Sequence, residues 1–134
     1  MEVSVKISSD LHNLKVVEEF IEQTGRMFGI GRETYGKVLV SVMEAANNAI
    51  THGNRGASSK AVEICFRKSD TVLEIIVIDE GEGFSHETVP DPTMPENREN
   101  IRGRGVFLMK RLSDKLEYNK KGNMVTMFFS LSET

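Results

Sequence analysis

The chain has 134 residues, with 17 Lys and Arg against 20 Asp and Glu, a formal charge of -3 and no basic block resembling a nucleic-acid footprint. Its one cysteine, Cys65, excludes an internal disulfide and a multi-cysteine metal centre, and points to a reducing compartment, the cytoplasm by default. No apolar run approaches a membrane span, and MEVSVKISSD has neither a basic nor an apolar leader region, so the reading excludes export, membrane anchoring and direct DNA or RNA binding.

The length fits a single domain over residues 1–134 that can bury roughly two thirds of its unfolded surface. Val3, Val5 and Ile7 alternate with polar residues and predict a strand at a sheet edge. Ser9 or Asp10 then caps a packing helix whose stripe runs Leu11, Leu14, Val17, Phe20, Ile21 and Met27, up to Gly29.

A central helix is predicted from Arg32 or Glu33 to Gly53, with Val38, Leu39, Val42, Ala45, Ala46, Ala49 and Ile50 on its core side. Its other side aligns Lys37, Ser41, Glu44, Asn48 and Thr51, each three or four residues from the last. That stripe has two readings: a solvated face, or a carboxylate and an amide oxygen held one turn apart for a hard cation and proton chemistry. His52, in the last turn, is either a ligand neighbour or a hydrogen-bonded helix end.

Val62, Ile64 and Phe66 alternate, Lys68-Ser69-Asp70 turns, and VLEIIVID returns as a strand covered on both faces or central in a sheet. It ends on Asp79, before Gly81 and Gly83, which suits either close approach of backbone to a ligand or a plain turn. From Ser85 to Arg102 there is no sustained periodicity, and Pro90, Pro92 and Pro95 sit among polar residues, as in a functional or disordered connection. Gly103-Arg104-Gly105 then opens a short helix carrying Val106, Phe107, Met109 and Leu112, an arrangement that lets free N–H groups meet a phosphate. Leu116 and Tyr118, a turn at Lys120-Lys121-Gly122-Asn123 and a strand from Met124 to Leu131 close the chain as a second hairpin. The methionines, Met109 and Met127 among them, read as core filling.

In order, these are E-x-x-x-N-A on a helix, D-x-G-x-G after a strand, a long connection, and G-x-G at a helix. The order resembles the Bergerat-type ATP-binding fold of histidine kinases, gyrase, Hsp90 and mismatch-repair proteins. EAANNAITHGN, DEGEGF and GRGVFLMKRLSD look especially similar to the small anti-sigma factor serine kinases of bacteria, the RsbW type, and the likeness runs from about Ser9 to Leu131.

The resemblance implies an α+β two-layer sandwich: about five strands in a mostly antiparallel mixed sheet, three helices on one face, and an ATP lid near residues 85–102. It matches Glu44, Asn48 and His52 to the helix motif, Asp79, Gly81 and Gly83 to the adenine loop, and Gly103 and Gly105 to the phosphate loop, with Val106 after them. Glu44 becomes the catalytic base, Asn48 the Mg2+ ligand, and Asp79 the acceptor of the adenine amino group. Either Arg102 or Arg104 would reach the γ-phosphate, and Thr126 stands in for a threonine that relatives place after the last-turn glycine. The implied cofactors are ATP and Mg2+. The implied partners are a sigma factor, a STAS-domain anti-anti-sigma protein phosphorylated on serine or threonine, and a second copy of the chain. The other class of function is an ATP-binding regulatory module that sequesters a partner without kinase activity.

Overall fold

The structure, a computed structural model, describes residues 1–81 and 101–131, without the side chains of 101–104. Gly83 and residues 85–100 of the expected lid lie outside the described residues. In chain order the elements are β1 (Glu2–Ser8), α1 (Leu14–Phe28), α2 (Arg32–Asn48), β2 (Ala61–Lys68), β3 (Val72–Ile78), α3 (Ile101–Leu112), β4 (Lys115–Tyr118) and β5 (Met124–Ser130). The strands form one sheet in the order β1-β2-β3-β5-β4. Every pairing among them is antiparallel, so the sheet is not mixed. β1 lies at an edge and β3 in the middle, as their patterns predict.

Period-two alternation sorts the sheet into two faces. Val62, Ile64 and Phe66 of β2, Leu73, Ile75 and Val77 of β3, and Val125, Met127 and Phe129 of β5 are buried under the helices. Their neighbours in sequence, Cys65, Ile76 and Thr126 among them, lie on the other, half-exposed face. The apolar run of β3 therefore reflects a central position, not cover on both faces. Phe20 of α1 meets Phe66 edge-on, with ring centroids 5.4 Å apart, and carries α1 onto β2. α2 lies between α1 and α3 and reaches β3 and β5 beneath it.

Several local expectations change in the packed chain. Asp10 caps a short 3-10 turn, Leu11–Asn13, by accepting the His12 N–H at 2.9 Å, and this turn leads into α1. That leaves Leu11 exposed, and Met27 is exposed too, because Phe28 is the residue that turns inward at the end of α1. On α2 the polar stripe is not a solvated face. Lys37 and Thr51 are exposed, but Ser41 is fully buried, with no partner for its hydroxyl among the described residues, and Glu44 and Asn48 are half-buried. The helix reaches Gly53 as predicted, but its last turn, Ala49–Gly53, is a π-turn. α3 starts at Ile101, so Gly103 and Gly105 lie inside the helix and do not precede it. No helix among the described residues is long and apolar enough to cross a membrane.

The two faces of β3 give a direct test, since Ile75 and Ile76 are adjacent and identical in type. Ile75→Ala empties a fully buried site and should cost about 2 to 5 kcal/mol in urea unfolding. Ile76→Ala, on the half-exposed face, should cost on the order of 1 kcal/mol. Equal losses would mean that the face assignment is wrong.

Candidate active site

The site is built where β3 ends. The Asp79 amide donates to the Asn123 carbonyl at 2.9 Å, and the Asn123 side-chain amide donates back to the Asp79 carbonyl at 3.0 Å. Asn119 holds that turn from below: its Oδ1 accepts the N–H groups of Gly122, Asn123 and Met124 at 2.7, 3.0 and 3.1 Å. The main chain of Asp79 is thus fixed on both sides. Its carboxylate accepts the Gly81 N–H at 2.7 Å, through Oδ1.

Gly53 comes against the same carboxylate. A Cβ at Gly53 would run into the Asp79 carboxylate, and one at Gly81 would run into the Gly53 carbonyl. The π-turn brings Gly53 there. The Asn54 N–H reaches back five residues to the Ala49 carbonyl at 2.8 Å, which widens the last turn toward the strand end. Glycine at 81 lets two backbones approach closely, and glycine at 53 leaves room for the Asp79 carboxylate.

Between α2, β3, β5 and α3 lies a cleft with apolar walls from Ala45, Ala49, Val77 and Met109 and polar groups from Asn48 and Asp79. Its cavity of about 30 Å³ has room for about two waters. A flat heteroaromatic ring with an N–H donor suits such walls and such a carboxylate. At the far end, α3 presses on α2. A Cβ at Gly105 would stand 2.6 Å from Glu44 Oε1 and 3.3 Å from Asn48 Nδ2. Glu44 and Asn48 therefore face the helix that carries the glycines, one turn apart on a rigid element. Val106 is buried in the core.

Of the candidate residues, Glu44, Asn48, Asp79, Gly81, Gly105 and Val106 come together around this cleft. Gly103 is in the first turns of α3, and the side chains of Arg102 and Arg104 are outside the described residues. Thr126 is not in the cleft: it alternates with the buried Val125 and Met127, pairs with Ile76 and Glu117, and lies on the face turned away from the helices. Val125 takes the inward position and lines the cleft. His52 is exposed in the π-turn and does not line the cleft. Sequence reasoning assigned no role to Asn54 or Asn119 and placed Asn123 only in a turn. An asparagine beside a glycine could have pointed to Asn54 and Asn123, but not to Asn119.

With this geometry in place, the relatives are informative. The model of the histidine kinase-like ATPase domain matches residues 7–129. The chain belongs to that family. It is similar to the serine-protein kinase RsbW of Oceanobacillus iheyensis, 27% identical, over 98% of this chain and 87% of the relative. It is also similar to the serine-protein kinase RsbW of Bacillus subtilis, 24% identical over 93% and 82%, and to that of Staphylococcus epidermidis, 30% identical over 66% and 60%. The crystal structure of the RsbU and RsbW domains of Rv1364c from Mycobacterium tuberculosis superposes with a TM-score of 0.68 at 12% identity, over 97% of this chain and 32% of that one, and shares the fold. Within the family the chain is of the RsbW type.

Gly53→Ala should push the Asp79 carboxylate aside and weaken ATP binding by about tenfold or more in a calorimetric titration. Gly36→Ala, in the same helix with nothing within 4 Å of the added carbon, should leave binding unchanged and stabilise α2 by up to about 1 kcal/mol. Equal binding by both variants would contradict the packing of Gly53 on Asp79.

Proposed function

We propose that the protein is an ATP-dependent serine/threonine kinase that acts as an anti-sigma factor. It sequesters a sigma factor and phosphorylates a STAS-domain anti-anti-sigma protein, and so exchanges one partner for the other. The observation that carries this reading is the half-buried pair Glu44 and Asn48 on α2, set against Gly105 and beside the cleft that Asp79 closes.

Asp79 accepts the adenine amino group in a charge-assisted hydrogen bond, worth about 1.5 to 3 kcal/mol, and so selects adenine over guanine. Asn48 offers its side-chain oxygen to Mg2+. Among the described residues no cluster of three or more His, Cys, Asp and Glu could hold a metal. That donor set suits Mg2+, which binds through one or two protein oxygens and keeps phosphate and water for the rest. When bound, Mg2+ neutralises charge on the phosphates. Glu44 accepts the proton of the incoming serine or threonine hydroxyl. In this reading the first turn of α3, which holds Gly103, offers main-chain N–H groups to the phosphates, and Arg102 or Arg104 completes the γ-phosphate contact. The same reading takes residues 1–134 as one ATPase domain, acting as a homodimer in the cytoplasm.

Replacing Glu44 with Gln keeps shape and removes the proton acceptor. Transfer from labelled ATP to a STAS-domain protein should fall by about 100 to 10,000-fold while ATP affinity survives. Asn48→Ala should lower Mg-ATP binding and transfer together, and Asp79→Asn should weaken nucleotide binding with or without metal. Retained ATP binding with no transfer by the wild-type chain to any STAS-domain partner would favour a sequestering module without kinase activity. Unchanged transfer by Glu44→Gln would remove Glu44 as the base.

A further inference from the structure

The adenine end of the site rests on a residue that does not line it. Asn54 follows Gly53, is 1% exposed, and spends all of its side-chain amide on three separate parts of the chain. Its Oδ1 accepts the Glu80 N–H at 2.8 Å. Its Nδ2 donates to Ser9 Oγ at 2.7 Å and to the Ala61 carbonyl at 2.9 Å. Each of these groups is held in turn. Ser9, also 1% exposed, donates through its hydroxyl to the Lys60 carbonyl at 2.9 Å. The Ala61 N–H donates to the Glu80 carboxylate at 2.6 Å. Asn54, Ala61 and Glu80 thereby form a closed ring, which Ser9 fastens to the junction of β1 and α1.

We infer that Asn54 is a positioning residue for nucleotide binding: it holds the Asp79-Glu80-Gly81 loop at the height where the Asp79 carboxylate faces the cleft. This inference rests on the nucleotide-site reading above. The N–H and the carbonyl of Asp79 are both anchored by Asn123, and the next main-chain N–H, that of Glu80, goes to Asn54. Without Asn54 the tie to the β2 side that remains among the described residues is the carboxylate of Glu80 on the Ala61 N–H. No shorter side chain spans Glu80, Ser9 and Ala61 at once. Aspartate keeps an acceptor for Glu80 but cannot donate to the Ala61 carbonyl, and leucine fills the space with no polar atom. The link through Ser9 has a second consequence: a hydroxyl outside the cleft lining, at the start of α1, bears on nucleotide affinity.

The test compares Asn54→Ala, Asn54→Asp and Ser9→Ala with the wild-type chain in three measurements: ATP affinity, transfer rate at saturating ATP, and amide hydrogen exchange at Glu80 and Gly81. Asn54→Ala should raise the Kd for ATP about tenfold, the scale of one lost buried hydrogen bond, while the saturated transfer rate stays within about twofold. Ser9→Ala and Asn54→Asp should each raise it by a smaller factor. Exchange at Glu80 and Gly81 should accelerate about tenfold or more in Asn54→Ala, beyond any change at the amides of β2 and β3. A general loss of stability with unchanged ATP affinity, or exchange that accelerates equally everywhere, would overturn the inference and leave Asn54 a packing residue. If Asn54→Ala does not fold, Asn54→Asp and Ser9→Ala decide by the same two readouts. If the wild-type chain binds no ATP, the nucleotide reading fails, and local acceleration at Glu80 and Gly81 alone still decides whether Asn54 holds the loop.

Discussion

The contact between the Asp79 carboxylate and the backbone of Gly53 sets the rest of the site, because it joins the end of the central strand to the end of the central helix with no side chain between. Such a contact tolerates little error. The strand end must be fixed, and the turn of Asn119 to Asn123 fixes it by pairing with both main-chain groups of Asp79. The helix end must arrive at the right depth, and a single π-turn supplies the extra width that regular α-helical spacing lacks. A half-buried carboxylate held this way is preorganised for one donor, so little ordering entropy remains to be lost when a ligand binds.

The opposite end of the cleft is held less firmly. α3 carries Gly103 and Gly105 within its first turns, and each glycine costs about 1 kcal/mol of helix stability relative to alanine. At 105 glycine lets the helix lie directly on the side-chain ends of Glu44 and Asn48. The same residue that permits the closed packing also weakens the helix that makes it. The cavity between the helices and the strand ends, about 30 Å³, is smaller than a purine.

Much of this was legible in the chain. Period-two alternation identified the strands and, through the apolar run of β3, the centre of the sheet. Helical spacing identified α2 and set Glu44 and Asn48 on one stripe, while Asp79 stood out as a carboxylate where an apolar strand opens into glycines. What was not legible depends on partners distant in sequence. Asn54, Asn119 and Asn123 act on main-chain groups whose positions only the folded sheet supplies. The glycines before Val106 read locally as a helix start, but both lie within α3, Ile101–Leu112. Thr126 was placed by its distance from Gly122, yet the pleat of β5 decides its face, and an offset of one residue reverses that face. Met27 and Phe28 differ by 100° around α1, and only the angle at which α1 meets the sheet selects Phe28.

The central claim is that one carboxylate, held by backbone contacts at the end of β3, makes this an adenine site. Calorimetric titration of the intact chain with Mg-ATP and with Mg-GTP tests it most directly. In the proposed reading Asp79 accepts a hydrogen bond from the amino group of adenine and would meet the carbonyl oxygen of guanine with like polarity. ATP should therefore bind at least about a hundredfold more tightly than GTP. Equal affinity for the two nucleotides would contradict the account.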